Sequence, residues 1–134
     1  MKKERLLNEL RTGTFVMIKR SPVEGIGVFA LTDIVKGQRN LFSSDKSEWI
    51  PVSREEVDAL PEHSKTLIET YCLYDEESYY VPEYGFKMID LVIFLNHSDH
   101  PNVISLNEGE DFEAIKDIAA GEELFVDYGD IVEH

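Results

Sequence analysis

The sequence predicts a mostly β fold with a short helical insert. Three observations lead to this prediction: short segments rich in β-branched and aromatic residues, glycine-marked turns between them, and one stretch that begins like a helix. The chain has 134 residues, which is a usual size for one domain and is enough to bury a core. We therefore expect residues 1–134 to form a single domain.

The first third of the chain is predicted to form short strands separated by turns. Leu6, Leu7 and Leu10 lie on one side of a predicted N-terminal helix. The stretch TFVMIKR is rich in residues that favour strands, and SPVEGIG after it contains two glycines. The predicted elements are a helix over 4–11, strands over 14–20 and 27–31, turns over 21–27 and 32–38, and short strands near 39–43 and 48–51.

A helical insert is predicted over residues 53–70. Ser53 is followed three residues later by Glu56, which is the pattern of a capping box at a helix start. Pro61 interrupts this helix, so a second helical piece is predicted over 62–70. Residues 71–82 then return to the aromatic and β-branched composition that is typical of strands.

The last third contains a predicted hairpin and a closing strand. For the apolar stretch MIDLVIFLNHS, a short helix over 88–95 and a buried strand both fit the length. The segments NVISLN and DFEAIKDI are predicted to pair across the turn EGE. The stretch EELFVDYG is predicted to be the last strand.

One pattern occurs twice. LTDIVKGQ (31–38) and IKDIAAGE (115–122) share Asp-Ile-x-x-Gly followed by Gln or Glu. Each copy combines the end of a strand with a tight turn that places glycine where a positive φ is favoured. The two copies therefore predict two similar corners in a sheet-rich fold, and they are too short and too far apart for a solenoid repeat.

Composition narrows the classes of partner and compartment. The formal net charge of −14 argues against direct binding to nucleic acid and favours a basic partner, while solubility alone also explains it. No apolar run reaches the ~18 residues of a membrane span, and the charged N-terminus does not resemble a secretory signal. Cys72, the only cysteine, is predicted to be a small buried residue. We expect the cytoplasm, or a host cell compartment, as the location.

The stretch IFLNHSDHPNV, residues 93–103, concentrates side chains that can do chemistry. His97, Asp99 and His100 are residue types that bind zinc or iron. Pro101 disfavours a helix at His100, and no second cluster of histidine or cysteine completes a metal shell. We therefore predict no metal at this stretch.

Two further stretches suit a ligand site. Gly25 and Gly27 flank Ile26, and such a pair lets a backbone approach a ligand closely, although a plain turn explains it as well. No third glycine opens a helix and no phosphate-loop motif is present, so nucleotide sites of those types are excluded. Tyr128 ends the predicted last strand, where a phenol can pack on a core or orient a reacting group.

Together these stretches resemble the SET-domain family of protein lysine methyltransferases. The resemblance rests on EGIGVFAL (24–31), FLNHSDHPNV (94–103) and IKDIAAGEELFVDYGD (115–130), which follow the order of the family pattern. It covers most of residues 14–130, the core of the expected domain, whereas residues 39–90 match poorly. Cysteine-rich zinc flanks are absent, so the chain is most similar to small stand-alone SET proteins of viruses and bacteria.

The resemblance implies a SET-type fold of several small curved sheets with a C-terminal pseudoknot. It also implies S-adenosylmethionine as the cofactor. Asn96 would contact the amino-acid or ribose part of this cofactor, and the backbone of His97 would contact the adenine edge. Tyr128 would lie beside them and would also contact the cofactor. The methionine end of the cofactor would contact the main chain of Gly25, Ile26 and Gly27.

The implied activity is S-adenosylmethionine-dependent N-methylation of a lysine in a basic protein, such as a histone-like or ribosomal tail. Tyr128 occupies the position of the catalytic tyrosine. Tyr71 and Tyr74 are candidate walls of the lysine channel, with ordinary core aromatics as the alternative. Val126 occupies a position linked to the number of methyl groups added. Only six residues follow Tyr128, so we expect either an open channel or closure by a partner subunit, as in a homodimer.

Two other classes of function are also compatible with the sequence. The missing C-terminal closure favours a non-catalytic SET-like binding module, which would bind the cofactor without transferring its methyl group. A small metalloprotein that uses His97, Asp99 and His100 is the second alternative, and it would retain stoichiometric metal after purification.

Overall fold

The computed structural model describes residues 1–42, 48–88 and 90–131. Within these residues, the helices are α1 (Lys2–Thr12), α2 (Arg54–Asp58), α3 (Glu62–Tyr71) and two 3₁₀ helices (Leu91–Phe94 and Tyr128–Asp130). The strands are β1 (Val16–Arg20), β2 (Ile26–Ala30), β3 (Trp49–Ser53), β4 (Ser78–Pro82), β5 (Asn96–His97), β6 (Val103–Leu106), β7 (Asp111–Ala114) and β8 (Glu123–Val126).

The largest sheet joins the two ends of the chain. Its strand order is β1-β2-β8-β5. Strand β8 pairs antiparallel with β2, with Leu124 opposite Val28, and parallel with β5, with Phe125 opposite Asn96. The C-terminal strand thus lies between two strands from earlier parts of the chain, as the predicted pseudoknot requires. Since β3-β4 and β6-β7 form two further small sheets, the predicted SET-type architecture of several small sheets is confirmed.

The helical insert forms a small unit with β3 and β4. The Oγ of Ser53 accepts a hydrogen bond from the Glu56 N–H, and the Glu56 carboxylate accepts one from the Ser53 N–H. The predicted capping box is therefore confirmed. Val57, Ile68 and Cys72 are buried together and pack against side chains of β3 and β4, so the insert has its own small core.

The main core lies between the large sheet and the β6-β7 hairpin. Val28, Leu124 and Val126 from the sheet and Val103 from the hairpin are completely buried. Both strands of the hairpin form as predicted, with Val103 opposite Ala114, and the turn between them contains three residues with positive φ, Asn107, Glu108 and Gly109. Burial of this apolar surface is the main source of stability for the domain.

The two Asp-Ile-x-x-Gly copies pair with each other. The backbones of Ile34 and Ile118 exchange hydrogen bonds of 2.7 and 2.8 Å, and both side chains are buried. The exchange continues through the aspartates, whose carboxylates accept reciprocal bonds: Asp117 Oδ1 from the Lys36 N–H at 2.8 Å and Asp33 Oδ1 from the Ala120 N–H at 2.9 Å. The sequence predicted similar corners, and the structure joins them into one contact.

Three predicted elements differ from the structure. Residues 39–42 form no strand, and residue 43 of that prediction lies outside the described residues. Only the second half of the predicted strand region 71–82 forms a strand, because α3 extends to Tyr71 and a turn follows in which the Asp75 carboxylate accepts the N–H groups of Glu77 and Ser78. The ambiguous stretch 88–95 contains the short 3₁₀ helix, which begins where the Asp90 carboxylate accepts the N–H of Val92.

The N-terminal helix α1 confirms the helix predicted over 4–11, but none of its residues is buried. Leu6 and Leu10 are more than half exposed. Within the described part of the chain, no helix combines the length and apolar character needed to cross a membrane.

Candidate active site

The Asn96–His97 segment and Tyr128 meet because β5 and β8 are neighbouring parallel strands. The phenol of Tyr128 donates a hydrogen bond of 2.6 Å to the carbonyl oxygen of Leu95. The backbone N–H of Tyr128 donates a bond of 3.1 Å to Nδ1 of His97. Tyr128 is thus fixed both at its hydroxyl and at its backbone N–H. Two segments that are distant in sequence therefore lie side by side. Their roles in binding and catalysis stay predictions.

The imidazole of His97 serves as an acceptor for the backbone next to Tyr128. Because Nδ1 accepts the Tyr128 N–H, this nitrogen has no proton of its own, and Nε2 donates to Asp99 Oδ1 at 3.1 Å. Both ring nitrogens are therefore occupied by protein groups. Among the described residues, no group of three or more metal-binding side chains is found, and His100 donates only its backbone N–H, to Ser98.

Asn96 is the most connected buried polar side chain of the site. Its Nδ2 donates to the carbonyl oxygens of Glu24 at 3.0 Å and Ile26 at 3.5 Å, and to Oε2 of Glu123 at 2.8 Å. Three acceptors around one nitrogen fix the orientation of the amide. Its Oδ1 accepts none of the hydrogen bonds found in the described residues, so an acceptor is left for a ligand.

The Gly25–Gly27 segment lies against Asn96 and Glu123. A side chain at Gly27 would clash, because a Cβ there would lie 2.2 Å from Oε2 of Glu123. Gly25 has a φ of +45°, which glycine adopts without strain. Ile26 between them is 43% exposed, so its side chain is not part of the core. This segment therefore offers backbone rather than side chains to a ligand.

A cleft with a volume of about 190 Å³ opens next to the Tyr128 ring. The two other tyrosines predicted to border a lysine channel, Tyr71 and Tyr74, line this same cleft. The ring of Tyr71 packs edge-on against Phe94 at a centroid distance of 5.8 Å. The lining residues are Trp49, Glu69, Thr70, Tyr71, Cys72, Leu73, Tyr74, Val92, Ile93, Leu95, Tyr128 and Ile131.

Val126, which the resemblance assigns to the lysine channel, lies in the main core, and its role at the channel stays a prediction. Its side chain is completely buried in the main core, and it does not line the cleft. The reason is the alternation of side chains along β8, in which Leu124 and Val126 point to the core while Glu123 and Phe125 are half-buried. In this structure Val126 is a core residue, and Leu95 and Ile93 take the apolar positions at the cleft.

Two residues that are bonded around Asn96 were not singled out from the sequence, Ser21 and Glu123. The Ser21 hydroxyl donates to the Glu123 carboxylate at 2.8 Å, and that carboxylate also binds Asn96. Glu123 belongs to the Gly-Glu-Glu motif that supported the resemblance, so a signal existed for it. Ser21 had only a weak signal, a serine at the start of a glycine-containing turn.

The environment of Tyr128 favours the neutral phenol. Burial, and to a smaller extent the negative charge of Glu24, raises the pKa of Tyr128 above its ordinary value of 10.0. The backbone N–H of His97, which faces the phenol oxygen, opposes this rise in pKa. Tyr128 therefore stays a hydrogen-bond donor toward Leu95 throughout the neutral pH range.

The Cys72 thiol should be nearly inert in the native protein. Burial raises its pKa from the ordinary 9.0 to about 12. At pH 8 the thiolate fraction is thus about 10⁻⁴ rather than about 10⁻¹. We expect a thiol reagent to label the native protein at least about a thousandfold more slowly than protein unfolded in guanidinium. Because the pKa of Cys72 is higher in the folded than in the unfolded protein, its contribution to folding stability is fully present below pH 9. This contribution is lost as the pH rises toward 12. Equal labelling rates at pH 8 would contradict this prediction.

The fold and the site define a class of protein. Small sheets around a buried C-terminal strand, with an Asn-His pair beside a strand-end tyrosine, are what a SET-type fold requires. The SET domain family model matches residues 25–129, so the chain belongs to the SET domain family. This membership supports methyltransferase activity. A search of curated proteins finds no match to the sequence.

Solved structures with a similar fold include proteins from two eukaryotes. A Plasmodium falciparum protein named as a candidate histone methyltransferase is 23% identical, with a TM-score of 0.50 over 87% of this chain and 94% of that chain, and supports the fold alone. An apo form of the Polycomb Repressive Complex 2 of Chaetomium thermophilum is 26% identical, with a TM-score of 0.62. An autoinhibited form of that complex bound to S-adenosylmethionine is also 26% identical, with a TM-score of 0.58. In both, 92% of this chain matches only 16% of the chain in the complex.

Proposed function

We propose that this protein is an S-adenosylmethionine-dependent protein-lysine N-methyltransferase. The observation that supports this most directly is the position of Tyr128. Its hydroxyl is fixed on Leu95 at the wall of an aromatic cleft, while its backbone binds His97 of the Asn-His pair. One residue therefore joins the predicted cofactor segments to the predicted lysine cleft.

The residues present fit the proposed cofactor. The Asn96 amide oxygen, which has no hydrogen-bond partner among the described residues, is held in a fixed orientation that suits the ammonium group of an amino acid. Gly25, Ile26 and Gly27 would offer their backbone beside it. When bound, S-adenosylmethionine supplies a methyl group on a positively charged sulfur. The Chaetomium thermophilum complex bound to S-adenosylmethionine supports the choice of this cofactor.

The residues of this chain would act by positioning the lysine. A lysine amine must be neutral to attack, and at its ordinary pKa of ~10.4 it is mostly protonated at pH 7. Transfer into a cleft lined by Tyr71, Trp49 and Leu95 disfavours the charged form. The Tyr128 hydroxyl and the Leu95 carbonyl would then hold the amine in line with the methyl group. Such alignment accelerates transfer without a covalent intermediate.

A basic protein is the proposed substrate. The net charge of −14 would attract a lysine-rich tail through long-range electrostatics. Glu69 is an exposed residue among those that line the cleft, and its negative charge would favour the approach of a cationic lysine before the amine is desolvated. We propose the cytoplasm as the location and a homodimer as a means of closing the cleft around the substrate.

The test is a transfer assay with isotope-labelled S-adenosylmethionine. The purified protein is incubated with a mixture of basic proteins, and methylated lysines are identified by mass spectrometry. We expect label on lysine in at least one basic protein and none with heat-unfolded enzyme. Calorimetry on the same preparation measures cofactor binding. Binding without any transfer would favour the non-catalytic module, and absence of both would reject the proposal.

A further inference from the structure

We propose that Ser21 and Glu123 are positioning residues that set the affinity for the cofactor. They would do so by fixing the Asn96 amide and the turn before Gly25 before any ligand binds. This inference rests on the proposed function, since it assumes that Asn96 and residues 25–27 contact the cofactor. It assigns a role to two side chains that touch neither the lysine cleft nor Tyr128 in the contacts described above.

The Ser21 hydroxyl organises the turn between β1 and β2. It accepts the N–H groups of Val23 at 3.0 Å and Glu24 at 3.3 Å, while the Ser21 N–H donates to the Gly25 carbonyl at 2.8 Å. The residue is 9% exposed. These bonds determine where the carbonyl of Glu24 points, and that carbonyl is one of the acceptors of Asn96.

The Glu123 carboxylate connects this turn to Asn96. Its Oε1 lies 2.8 Å from the Ser21 hydroxyl, and its Oε2 lies 2.8 Å from Asn96 Nδ2. Oε2 also lies 3.0 Å from the Ser21 hydroxyl, so this hydroxyl faces both carboxylate oxygens while Asn96 faces only Oε2. No salt bridge to Glu123 is found in the described ranges of the chain, so its charge strengthens these two hydrogen bonds. Gly27 completes the arrangement because only hydrogen fits between its Cα and Oε2.

The consequence concerns the direction of the Asn96 amide. A glutamine at position 123 would present one oxygen and one NH₂ group to two donors, so either one bond is lost or both donors share one neutral oxygen in place of a charged carboxylate. The Asn96 amide could then rotate, and its Oδ1 would no longer be held toward the ligand. Loss of one hydrogen bond to a charged group corresponds to about a tenfold weaker complex or more.

The experiment combines two measurements on Ser21→Ala, Glu123→Gln and a matched control, Glu122→Gln. Glu122 is exposed, and within the described residues its carboxylate accepts only the Ala119 N–H, a bond that glutamine retains. Calorimetry measures the Kd for S-adenosylmethionine. Hydrogen exchange in the cofactor-free protein measures the opening of the Val23 and Glu24 amides, with the β6-β7 hairpin as an internal reference.

We expect both variants to raise the Kd about tenfold or more and Glu122→Gln to leave it unchanged. In Ser21→Ala, the Val23 and Glu24 amides should exchange faster while the hairpin amides do not. Wild-type affinity in both variants, or faster exchange throughout the chain, would overturn the inference. If Glu123→Gln fails to fold, the Kd and the amide exchange of Ser21→Ala, which is the smaller change, decide whether the inference holds. No binding by the wild type would instead reject the cofactor under Proposed function.

Discussion

Replacing Tyr128 by phenylalanine should lower kcat for methyl transfer about a hundredfold or more. The substitution keeps the ring and removes only the hydroxyl that donates to the Leu95 carbonyl at 2.6 Å. Without this hydroxyl, the lysine amine loses a fixed partner at the wall of the cleft. A small loss of alignment between reacting groups is enough for an effect of about this size. The measurement is single-turnover transfer from labelled S-adenosylmethionine.

The fold should tolerate this substitution. One lost hydrogen bond costs about 1 kcal/mol of unfolding free energy, and the backbone bond from Tyr128 to His97 is unaffected by the side chain. The Kd for the cofactor should change little. Tyr84→Phe is the matched control, because Tyr84 is 67% exposed and does not line the cleft. An unchanged kcat in Tyr128→Phe would remove Tyr128 from the mechanism.

Features set by neighbouring residues were predictable from the sequence. The capping box of Ser53 and Glu56 depends on residues three apart, and the structure contains both of its hydrogen bonds. The β6-β7 hairpin likewise depends on one short turn. The meeting of Asn96 and Tyr128 is different, because no local pattern brings residues 32 positions apart together. That proximity was predicted only through the resemblance to the SET-domain family.

Features that depend on three-dimensional packing were missed. Ser21 and Glu123 are 102 residues apart, and nothing in either local sequence shows that they bond. Val126 was assigned to the channel through the resemblance to the SET-domain family. Its burial follows instead from the face of β8 on which it lies, and that face is fixed by the pairing of β8 with β2 and β5.

The repeated Asp-Ile-x-x-Gly pattern was visible in the sequence, but the contact between its two copies depends on packing. The largest expected effect on stability comes from this contact. Ile118→Ala should lower the free energy of unfolding by about 2–5 kcal/mol, because it leaves a cavity where Ile118 is 1% exposed. Domains of this kind are stable by only about 5–15 kcal/mol. Denaturant unfolding followed by circular dichroism measures the change, and Val35→Ala, at a position 63% exposed, is the control.

The pairing of the two copies also predicts that Ile34 and Ile118 contribute to stability as a coupled pair. Ile34 and Ile118 are bridge partners in one core, and their backbones exchange two hydrogen bonds. Neighbouring residues of this kind have coupled effects of about 0.5–3 kcal/mol. The free energy of unfolding lost in the double variant Ile34→Ala with Ile118→Ala should therefore differ from the sum of the two single losses by at least about 0.5 kcal/mol. Strict additivity would mean that the two corners are stabilised independently. In that case the backbone hydrogen bonds between the two copies would remain, but the two isoleucine side chains would contribute to the core independently.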